Sequence, residues 1–290
     1  MVAARTTLVV YAVVLATLLA LGAARRQHLE DGAKRVVVAV QSVGHGTLQL
    51  DQGFIAAMVL SLLVAPLPIV ARAVMSRPTA RTAYGLVGTV VLLAVVLAAG
   101  SRVLSHTHAV SVLLGSIVGL AFGVLVDLGA RSLVALRGHE TEGPTGRSRR
   151  IALVVTALYI VAVVLIAFHG SPVDAAGDPY LSAVLTVLHR HHLPLWIDYG
   201  TVEFSANIVY FVPLGFLVVL LIGVRRWWLP ILIGFLASAF IETVQALFLP
   251  ERTGSVDDVL SNTSGAVLGT LTGIVVLGFL RRRTDLRTLG

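Results

Sequence analysis

The strongest constraint on the fold is a series of apolar runs, each long enough to cross a lipid bilayer as a helix. Such a helix needs about 20 apolar residues, because every backbone donor and acceptor in the hydrocarbon layer must be satisfied within the protein. Runs of this length predict helices and not barrel strands, which need only about 10 residues. The predicted spans cover residues 6–24, 52–71, 82–100, 108–126, 151–168, 205–224, 227–248 and 259–280.

The composition agrees with this interpretation. Of the 290 residues, 57% are hydrophobic and only 13% are charged, which excludes an ordinary soluble domain. The sequence therefore predicts an all-α, polytopic transmembrane helical bundle of about eight spans, located in the cell membrane. The first span has a second interpretation as a cleaved signal peptide, because Arg5 precedes it and Gly22, Ala23 and Ala24 follow its apolar core. We favour a retained helix, since its length matches that of the later spans.

The positive charges indicate how the spans are oriented. A net charge of +7 would suggest a nucleic-acid partner for a soluble protein. Here the arginines gather beside the ends of spans, so no nucleic-acid partner is predicted. Because loops on the cytoplasmic side are enriched in arginine, these clusters place both termini in the cytoplasm. The clusters are Arg131 to Arg150, Arg225 with Arg226, and Arg281 to Arg283.

The polar segments divide the chain into four regions. Residues 1–136 form an N-terminal four-helix membrane region of unknown role, and 137–150 form a cytoplasmic linker that contains glycine, proline and arginine. Residues 151–280 form a second membrane domain, and 281–290 form a basic cytoplasmic tail. No internal repeat is evident between the two halves. In the first half we expect Asp127 to pair with Arg131 one helical turn later, with a proton or ion site as the alternative.

A long predicted outer loop connects the fifth and sixth spans. Within it, residues 181–192 show apolar positions at helical spacing, which predicts a short helix lying in the outer interface, with Trp196 and Tyr199 as interfacial anchors. His189, His191 and His192 suggest a metal site, but neighbouring histidines on a helix point in different directions. We favour a solvated cluster and predict no metal and no cofactor. The chain contains no cysteine, so thiol chemistry is excluded.

Polar residues are concentrated in the last two spans, where such groups are costly and usually functional or mutually satisfied. Glu242 and Gln245 share one face of the seventh span, and Asp258 and Asn262 share one face of the eighth. Ser255 with Asp258 also fits a helix-capping box. A purely structural, charge-paired cluster is the alternative to a binding site. Further candidates are Arg252, suited to an anion, and Gly265, Gly269 and Gly273, which allow close helix approach.

The sixth span adds a third polar segment. It begins with Glu203 and Asn207 and continues through Tyr210, Pro213 and Gly215. A proline inside a membrane helix leaves a carbonyl without its usual donor and bends the helix. We therefore expect nearby polar groups to satisfy backbone atoms at this bend.

Three blocks carry a resemblance to a known family. They are NIVYFVPLGF from residue 207, IETVQ from residue 241 and RTGSVDDVLSNTSGAVLG from residue 252, and in this order they resemble the VanZ-like family over residues 151–280. The resemblance implies a small helical membrane domain of the bacterial cell envelope, in a family named after a protein associated with reduced susceptibility to the glycopeptide teicoplanin. It carries onto Asn207, Pro213, Gly215, Glu242, Gln245, Arg252, Asp258, Asn262 and Gly265.

Three functions are compatible with these residues. The first is binding of an envelope lipid or lipid-linked precursor at the outer face, by Asn207, Glu242, Gln245, Arg252, Asp258 and Asn262, with Pro213, Gly215, Gly265 and Gly269 in structural roles. The second is an intramembrane enzyme in which Glu242 or Asp258 is a general acid or base on a lipid-linked phosphate or glycan. The third is a small-molecule transporter. The sequence leaves the oligomeric state open.

Overall fold

The computed structural model describes residues 52–74, 84–85, 87–89, 91, 106–136, 146–168, 178–248 and 255–288, and these residues contain helices and no strands. The predicted all-helical class is therefore confirmed for this part of the chain. The helices are α1 Gln52–Val64, α2 Leu67–Val74, α3 His106–Leu136, α4 Gly146–Ala167, α5 Asp178–Arg190, α6 Tyr199–Ile222, α7 Leu229–Phe248 and α8 Val256–Thr288, with a 3₁₀ turn at Val224–Arg226.

Five of the described helices are long and apolar enough to cross a membrane. They correspond to the predicted spans 108–126, 151–168, 205–224, 227–248 and 259–280. The predicted first span, 6–24, and most of the predicted third span, 82–100, lie outside the described residues. The membrane-spanning segments are Ala109–Leu136, Gly146–Ala167, Tyr199–Ile222, Leu229–Leu247 and Val256–Arg281.

The predicted second span, 52–71, is interrupted. Helix α1 ends at Val64, a turn follows at Ala65 and Pro66, and α2 begins at Leu67. Proline has no N–H to donate to the preceding turn, and its ring clashes with that turn. The chain resumes helical bonding when Val70 N–H donates to Pro66 O at 3.0 Å. The apolar helical segment Ala56–Arg72 continues across this turn, and whether it spans the membrane stays a prediction.

Two helices extend into segments that the sequence assigned to polar connections. Helix α4 begins at Gly146, inside the predicted linker 137–150, and α8 continues to Thr288, inside the predicted tail 281–290. Likewise, the predicted loop helix at 181–192 is confirmed as α5, which begins three residues earlier, at Asp178. Its location in the outer interface stays a prediction.

The chain forms two compact units. Unit 1 comprises residues 1–127 and 184–198, and unit 2 comprises residues 128–183 and 199–290. Helix α3 belongs to unit 1 up to Asp127 and to unit 2 from Leu128 onward, and α5 is divided at Val184.

Unit 2 is organised around a close pair of parallel helices, α6 and α8. A Cβ added at Gly265 would lie 2.2 Å from Ile208 O, and one at Gly269 would lie 2.0 Å from Val212 O. These distances leave no space for a side chain, so the two backbones touch directly. Helix α7 runs antiparallel to α8 and packs against it at Gly234, opposite Ala266.

Apolar side chains complete the packing of unit 2. One buried cluster joins α4, α6 and α7 through Ala167, Phe211, Leu214 and Ile241. A second cluster joins the end of α3 to α6 and α8 through Leu136, Val219, Val224 and Ile274. Gly223 ends α6 with a φ of 76°, a backbone conformation that favours glycine.

Unit 1 contains a second close parallel pair, formed by α1 and α3. Cβ atoms added at Gly115 and Gly119 would lie 2.1 Å from Ala57 O and 2.3 Å from Ser61 O. Gly123 faces Ala65 O in the same way, at 1.9 Å. The sequence analysis did not single out this glycine series, because no polar residues accompany it.

Asp127 is buried in unit 1, where two other segments contact its carboxylate. Arg72 Nε lies 3.0 Å from Asp127 Oδ2, and the Tyr84 hydroxyl donates a hydrogen bond to the same oxygen. Asp127 therefore forms an ion pair with Arg72, a partner from α2, and the predicted pairing with Arg131 on the same helix stays a prediction. The pairing holds α2 and the segment around Tyr84 to the C-terminal part of α3.

Candidate functional site

The candidate site lies where three helix ends meet in unit 2. Because α6 and α8 run parallel and α7 runs antiparallel to α8, the N-terminal parts of α6 and α8 lie beside the C-terminal part of α7. These are the helix ends that carry the predicted polar residues. We refer to Asn207, Ser238, Glu242, Ser255, Asp258, Ser261 and Asn262 as the polar cluster.

Asp258 and Asn207 connect the two parallel helices. Asn207 Nδ2 donates to Asp258 Oδ1 at 2.7 Å, a short distance typical of a hydrogen bond to an ionised carboxylate. The structure thus brings together two residues that are far apart in the sequence and that the resemblance to the VanZ-like family had selected. Asp258 also lies in the first turn of α8, where the helix dipole favours a negative charge.

Glu242 is buried and reaches from α7 to the start of α8. The backbone N–H of Ser255 donates to Glu242 Oε2 at 2.9 Å, and Ser255 Oγ accepts a hydrogen bond from Asp257 N–H at 3.1 Å. Ser255 therefore caps α8 as predicted. Glu242, a residue of a neighbouring helix, accepts the Ser255 N–H hydrogen bond that the predicted capping box assigned to Asp258.

Asn262 and Ser238 form the most deeply buried part of the polar cluster. Asn262 Nδ2 donates to Ser238 Oγ at 2.9 Å, and the Asp258 carbonyl accepts hydrogen bonds from Ser261 Oγ at 3.1 Å and Ser238 Oγ at 3.4 Å. Asn262 is only 5% exposed, yet its Oδ1 atom has no hydrogen-bond partner. An unpaired buried carbonyl oxygen costs about 1–3 kcal/mol, so this atom is a natural acceptor for a ligand or a water molecule.

The sequence analysis missed Ser238 and Ser261. Ser238 lies one helical turn before Glu242 and therefore on the same face of α7. Ser261 lies beside Asn262 at the start of α8. Their small side chains are common in packed membrane helices and gave no signal of their own. The helical spacing of Ser238 from Glu242 was the available clue.

Gln245 makes a contact that explains its burial without a ligand. Its Nε2 donates to Ala167 O at 2.8 Å, and Ala167 is the last residue of α4. The final carbonyls of a helix have no partner within the helix. Gln245 therefore satisfies the end of α4 and holds that helix to α7.

The bend residue Pro213 is also accompanied by a polar contact. Pro213 cannot donate to Val209 O, and the carbonyl of the next residue, Tyr210, accepts a hydrogen bond from the Tyr159 hydroxyl at 2.7 Å. A side chain from α4 thus supports the backbone of α6 near the proline, as expected from the sequence. Gly215 lies on the same helix, where an added Cβ would be 2.1 Å from Ala266 O.

Two further predictions concern residues of two different predicted outer loops. Arg252, the expected anion ligand, lies outside the described residues. His189 Nε2 lies 3.1 Å from Ile197 O, and His192 adopts a φ of 68° after the end of α5. Among the residues that the structure describes, no group of three or more His, Cys, Asp or Glu side chains is arranged to hold a metal ion.

The chemistry available at the polar cluster is dominated by hydrogen-bond acceptors. It contains two carboxylates, of Glu242 and Asp258, and the unpartnered Oδ1 of Asn262. Such a surface suits a ligand that presents hydroxyl or ammonium donors. A cleft lined by Leu128, Arg131, Ser132, Gly278 and Phe279 lies near the other end of α8 and contains none of these groups.

In the described part of the chain, these helices form an all-helical structure with five helices long and apolar enough to cross a membrane and a polar cluster at one end of unit 2. The VanZ/LLP1 family model matches residues 153–277 of the chain. The resemblance seen in the sequence over 151–280 is thereby confirmed. No curated protein and no solved structure gives a significant match.

Proposed function

We propose that the polar cluster binds the polar head group of an envelope lipid or lipid-linked precursor, at the outer face of a bacterial cell membrane, and thereby influences susceptibility to teicoplanin. The observation that carries this proposal is a buried carboxylate, Glu242, and a half-buried one, Asp258, beside the buried amide of Asn262, whose Oδ1 atom has no hydrogen-bond partner. Such groups are costly in a membrane and are usually retained for function.

The proposed topology has eight spans and both termini in the cytoplasm. Arg225 and Arg226 are exposed in the connection between α6 and α7, at the opposite end of these helices from the polar cluster. Arginines in short loops favour the cytoplasmic side. In this topology the polar cluster faces the outer leaflet, where lipid-linked wall precursors are used and where lipoglycopeptides act.

The proposed contacts follow from the chemistry of the cluster. Asp258 and Asn262 Oδ1 accept hydrogen bonds from hydroxyl or ammonium groups of the head group, while Asn207 and Glu242 hold the helix ends in position. Arg252 binds a phosphate of the same ligand through its planar guanidinium. A ligand with both phosphate and donor groups would use all of these residues.

A growth assay tests this proposal. A deletion strain expresses the wild-type protein or the Arg252→Ala variant, and growth is measured across teicoplanin and other envelope-targeting drugs. We expect the variant to lose the wild-type effect on teicoplanin, because the anion contact is gone. The matched control is Arg226→Ala, an exposed arginine at the other end of α6 and α7. Equal membrane levels of the three proteins are verified, and unchanged susceptibility with Arg252→Ala would contradict the proposal.

An intramembrane enzyme is the second candidate, and the burial of the Glu242 carboxylate favours it. Burial is one way in which proteins prepare a carboxylate for acid or base chemistry on a phosphate or glycosyl bond. The hydrogen bond from Ser255 N–H holds this carboxylate in a fixed position. A Glu242→Gln substitution separates binding from catalysis, because it keeps the shape and hydrogen-bonding capacity but removes proton transfer.

A further inference from the structure

Units 1 and 2 bring two helices together in the same way. In unit 1, glycines of α3 at four-residue intervals face carbonyls of α1, also at four-residue intervals. In unit 2, glycines of α8 face carbonyls of α6 with the same spacing and the same parallel direction. The contacts are Gly115 to Ala57 O, Gly119 to Ser61 O and Gly123 to Ala65 O, just after α1, in unit 1, and Gly265 to Ile208 O and Gly269 to Val212 O in unit 2. At Gly273 an added Cβ would lie 3.4 Å from Phe216 O and 2.3 Å from Val219 Cγ1.

The sequences of α3 and α8 agree in this register without a gap. Aligning the three glycines of α3 with those of α8 also places a serine on a serine, a valine on a valine and an arginine on an arginine, all at one constant separation along the chain. A third segment also packs with each pair, since Val87 lies against Ala71 of α2 with Leu120 of α3 beside them, and α7 lies against α8. The further identities are Ser111 with Ser261, Val126 with Val276 and Arg131 with Arg281.

We infer that the helix pair α1 and α3 of unit 1 and the helix pair α6 and α8 of unit 2 are two copies of one module, repeated in the same chain direction, and that only the C-terminal copy carries the polar side chains Asn207, Asp258 and Asn262. The sequence analysis found no evident repeat. Three of the six identities are glycines, and the surrounding residues are mainly leucine, valine and alanine in both helices, so the contacts were needed to fix the register.

Comparing corresponding positions of the two copies shows which polar side chains the helix packing needs. In the register of the glycine contacts, Asn207 corresponds to Ala56, Asp258 to His108 and Asn262 to Val112. Unit 1 therefore builds the same helix crossing without the Asn207–Asp258 hydrogen bond and without an amide at the third position. The crossing does not require these three polar side chains. Their cost at membrane depth is then best explained by a ligand, which is the part of this inference that rests on the proposed function.

The corresponding end of unit 1 is closed by an aromatic side chain. Trp196 Nε1 donates to Ser111 Oγ at 3.0 Å, and the Trp196 ring meets Phe54 edge-to-face with centroids 5.6 Å apart. Ser111 is the counterpart of Ser261, which lies beside Asn262 in the polar cluster. At this end, the first copy thus has an indole where the second has carboxylates and amides. Among the described residues, only unit 2 contains a polar cluster of this kind.

A variant that gives unit 2 the residues of unit 1 tests the inference. In the Asn207→Ala/Asp258→His/Asn262→Val protein, we expect membrane insertion and an unfolding temperature within a few degrees of the wild type. Unfolding is measured on purified full-length protein in detergent, with and without mixed micelles containing phosphatidylglycerol or a polyprenyl phosphate. We expect these lipids to raise the unfolding temperature of the wild type only, since a ligand that binds the folded state stabilises it.

The outcomes of this experiment are distinct. Aggregation or a fall of ten degrees or more in the triple variant would overturn the inference, because the side chains would then be part of the packing. Retained stability with a lost lipid effect supports it. Retained stability with no lipid effect on either protein supports the repeated helix pair and counts against the proposed lipid ligand.

Thiol cross-linking tests the repeat independently of any ligand. The chain has no cysteine, so introduced pairs are its only thiols. We expect Ala56→Cys/His108→Cys to cross-link with a short bis-methanethiosulfonate reagent as efficiently as Asn207→Cys/Asp258→Cys. The control is Met58→Cys/His108→Cys, because Met58 is exposed on a different face of α1. Cross-linking of the unit 2 pair without the unit 1 pair would refute the repeat.

Discussion

Units 1 and 2 use the same helix packing but place their charged residues differently. In unit 1 the buried carboxylate of Asp127 lies toward the C-terminal part of α3 and contacts both Arg72 and Tyr84. In unit 2 the carboxylates of Glu242 and Asp258 lie at the start of α8, beside an amide oxygen that has no partner. The Asp127 carboxylate has a guanidinium partner within its unit, whereas Asn262 Oδ1 in the polar cluster has no partner and can accept a hydrogen bond from another molecule.

The largest expected effect is at the glycines that allow close helix packing in both units. Gly119→Leu in unit 1 and Gly269→Leu in unit 2 each insert a side chain where a Cβ would already lie 2.3 Å or 2.0 Å from a backbone oxygen. We expect each to lower the free energy of unfolding by more than about 3 kcal/mol, because backbone cannot give way as a side chain can. The measurement is the folded fraction on size-exclusion chromatography after heating.

The control for this pair is Gly85→Leu, since nothing lies within 4 Å of a Cβ added there. Both tight variants should lose folded protein while the control stays close to wild type. If Gly119→Leu were tolerated and Gly269→Leu were not, the two units would not be packed alike and the comparison would fail.

The next largest expected effect is the loss of stability when the buried carboxylate of Asp127 is neutralised. Asp127→Asn leaves the Arg72 guanidinium without its ionised partner and should cost about 2–3 kcal/mol, the low end for a buried pair because 30% of the Arg72 side chain is exposed. Thermal unfolding of the purified protein measures this loss. The folded fraction should keep the wild-type response to teicoplanin, and a lost response at normal stability would instead assign Asp127 a functional role.

A smaller loss is expected at Gln245. The Gln245→Ala variant removes the donor to Ala167 O and leaves a helix-terminal carbonyl unsatisfied, which should cost about 1–2 kcal/mol. Gln245→Glu is the matched variant, because it keeps the length of the side chain and places a carboxylate against the carbonyl. We expect it to be at least as destabilising as the alanine. A variant that loses the drug response without losing stability would move Gln245 to the ligand site.

The smallest structural effect is expected at Glu242. In Glu242→Gln the side-chain carbonyl still accepts from Ser255 N–H, so stability should change by less than about 1 kcal/mol. Growth on teicoplanin then discriminates the two candidate functions. A full response to the drug excludes Glu242 as an acid or base, while complete loss with normal stability and membrane level favours the enzyme.

Much of the architecture follows from the sequence alone. Apolar runs located the helices of unit 2, since each run must bury about 20 residues in the hydrocarbon layer. However, α6 begins six residues before its predicted span and α8 ends eight residues after its own. Helical spacing correctly paired Asp258 with Asn262 on one face of α8. The order of the polar blocks indicated that Asn207 and Asp258 belong to one region, and the structure joins them by a 2.7 Å hydrogen bond.

The remaining features depend on contacts between distant segments. Periodicity can pair Asp127 only with a residue of its own helix, so it could not predict the ion pair with Arg72 of α2. It can place Gln245 on a buried face, but not opposite the last carbonyl of α4. It also gave no reason to compare the glycines of α3 with those of α8. The sequence shows which side chains share a face, and the fold decides what that face meets.

The length of α8 has a mechanical consequence. This helix runs without interruption for 33 residues, which at 1.5 Å per residue is about 50 Å, whereas the hydrocarbon layer is about 30 Å thick. One continuous rod therefore carries Asp258 and Asn262 near its beginning and Arg281 three-quarters of the way along, with its last turns beyond the hydrocarbon layer. A tilt of a few degrees caused by a molecule at the first end would displace the other end by several ångströms, so α8 can act as a lever across the bilayer.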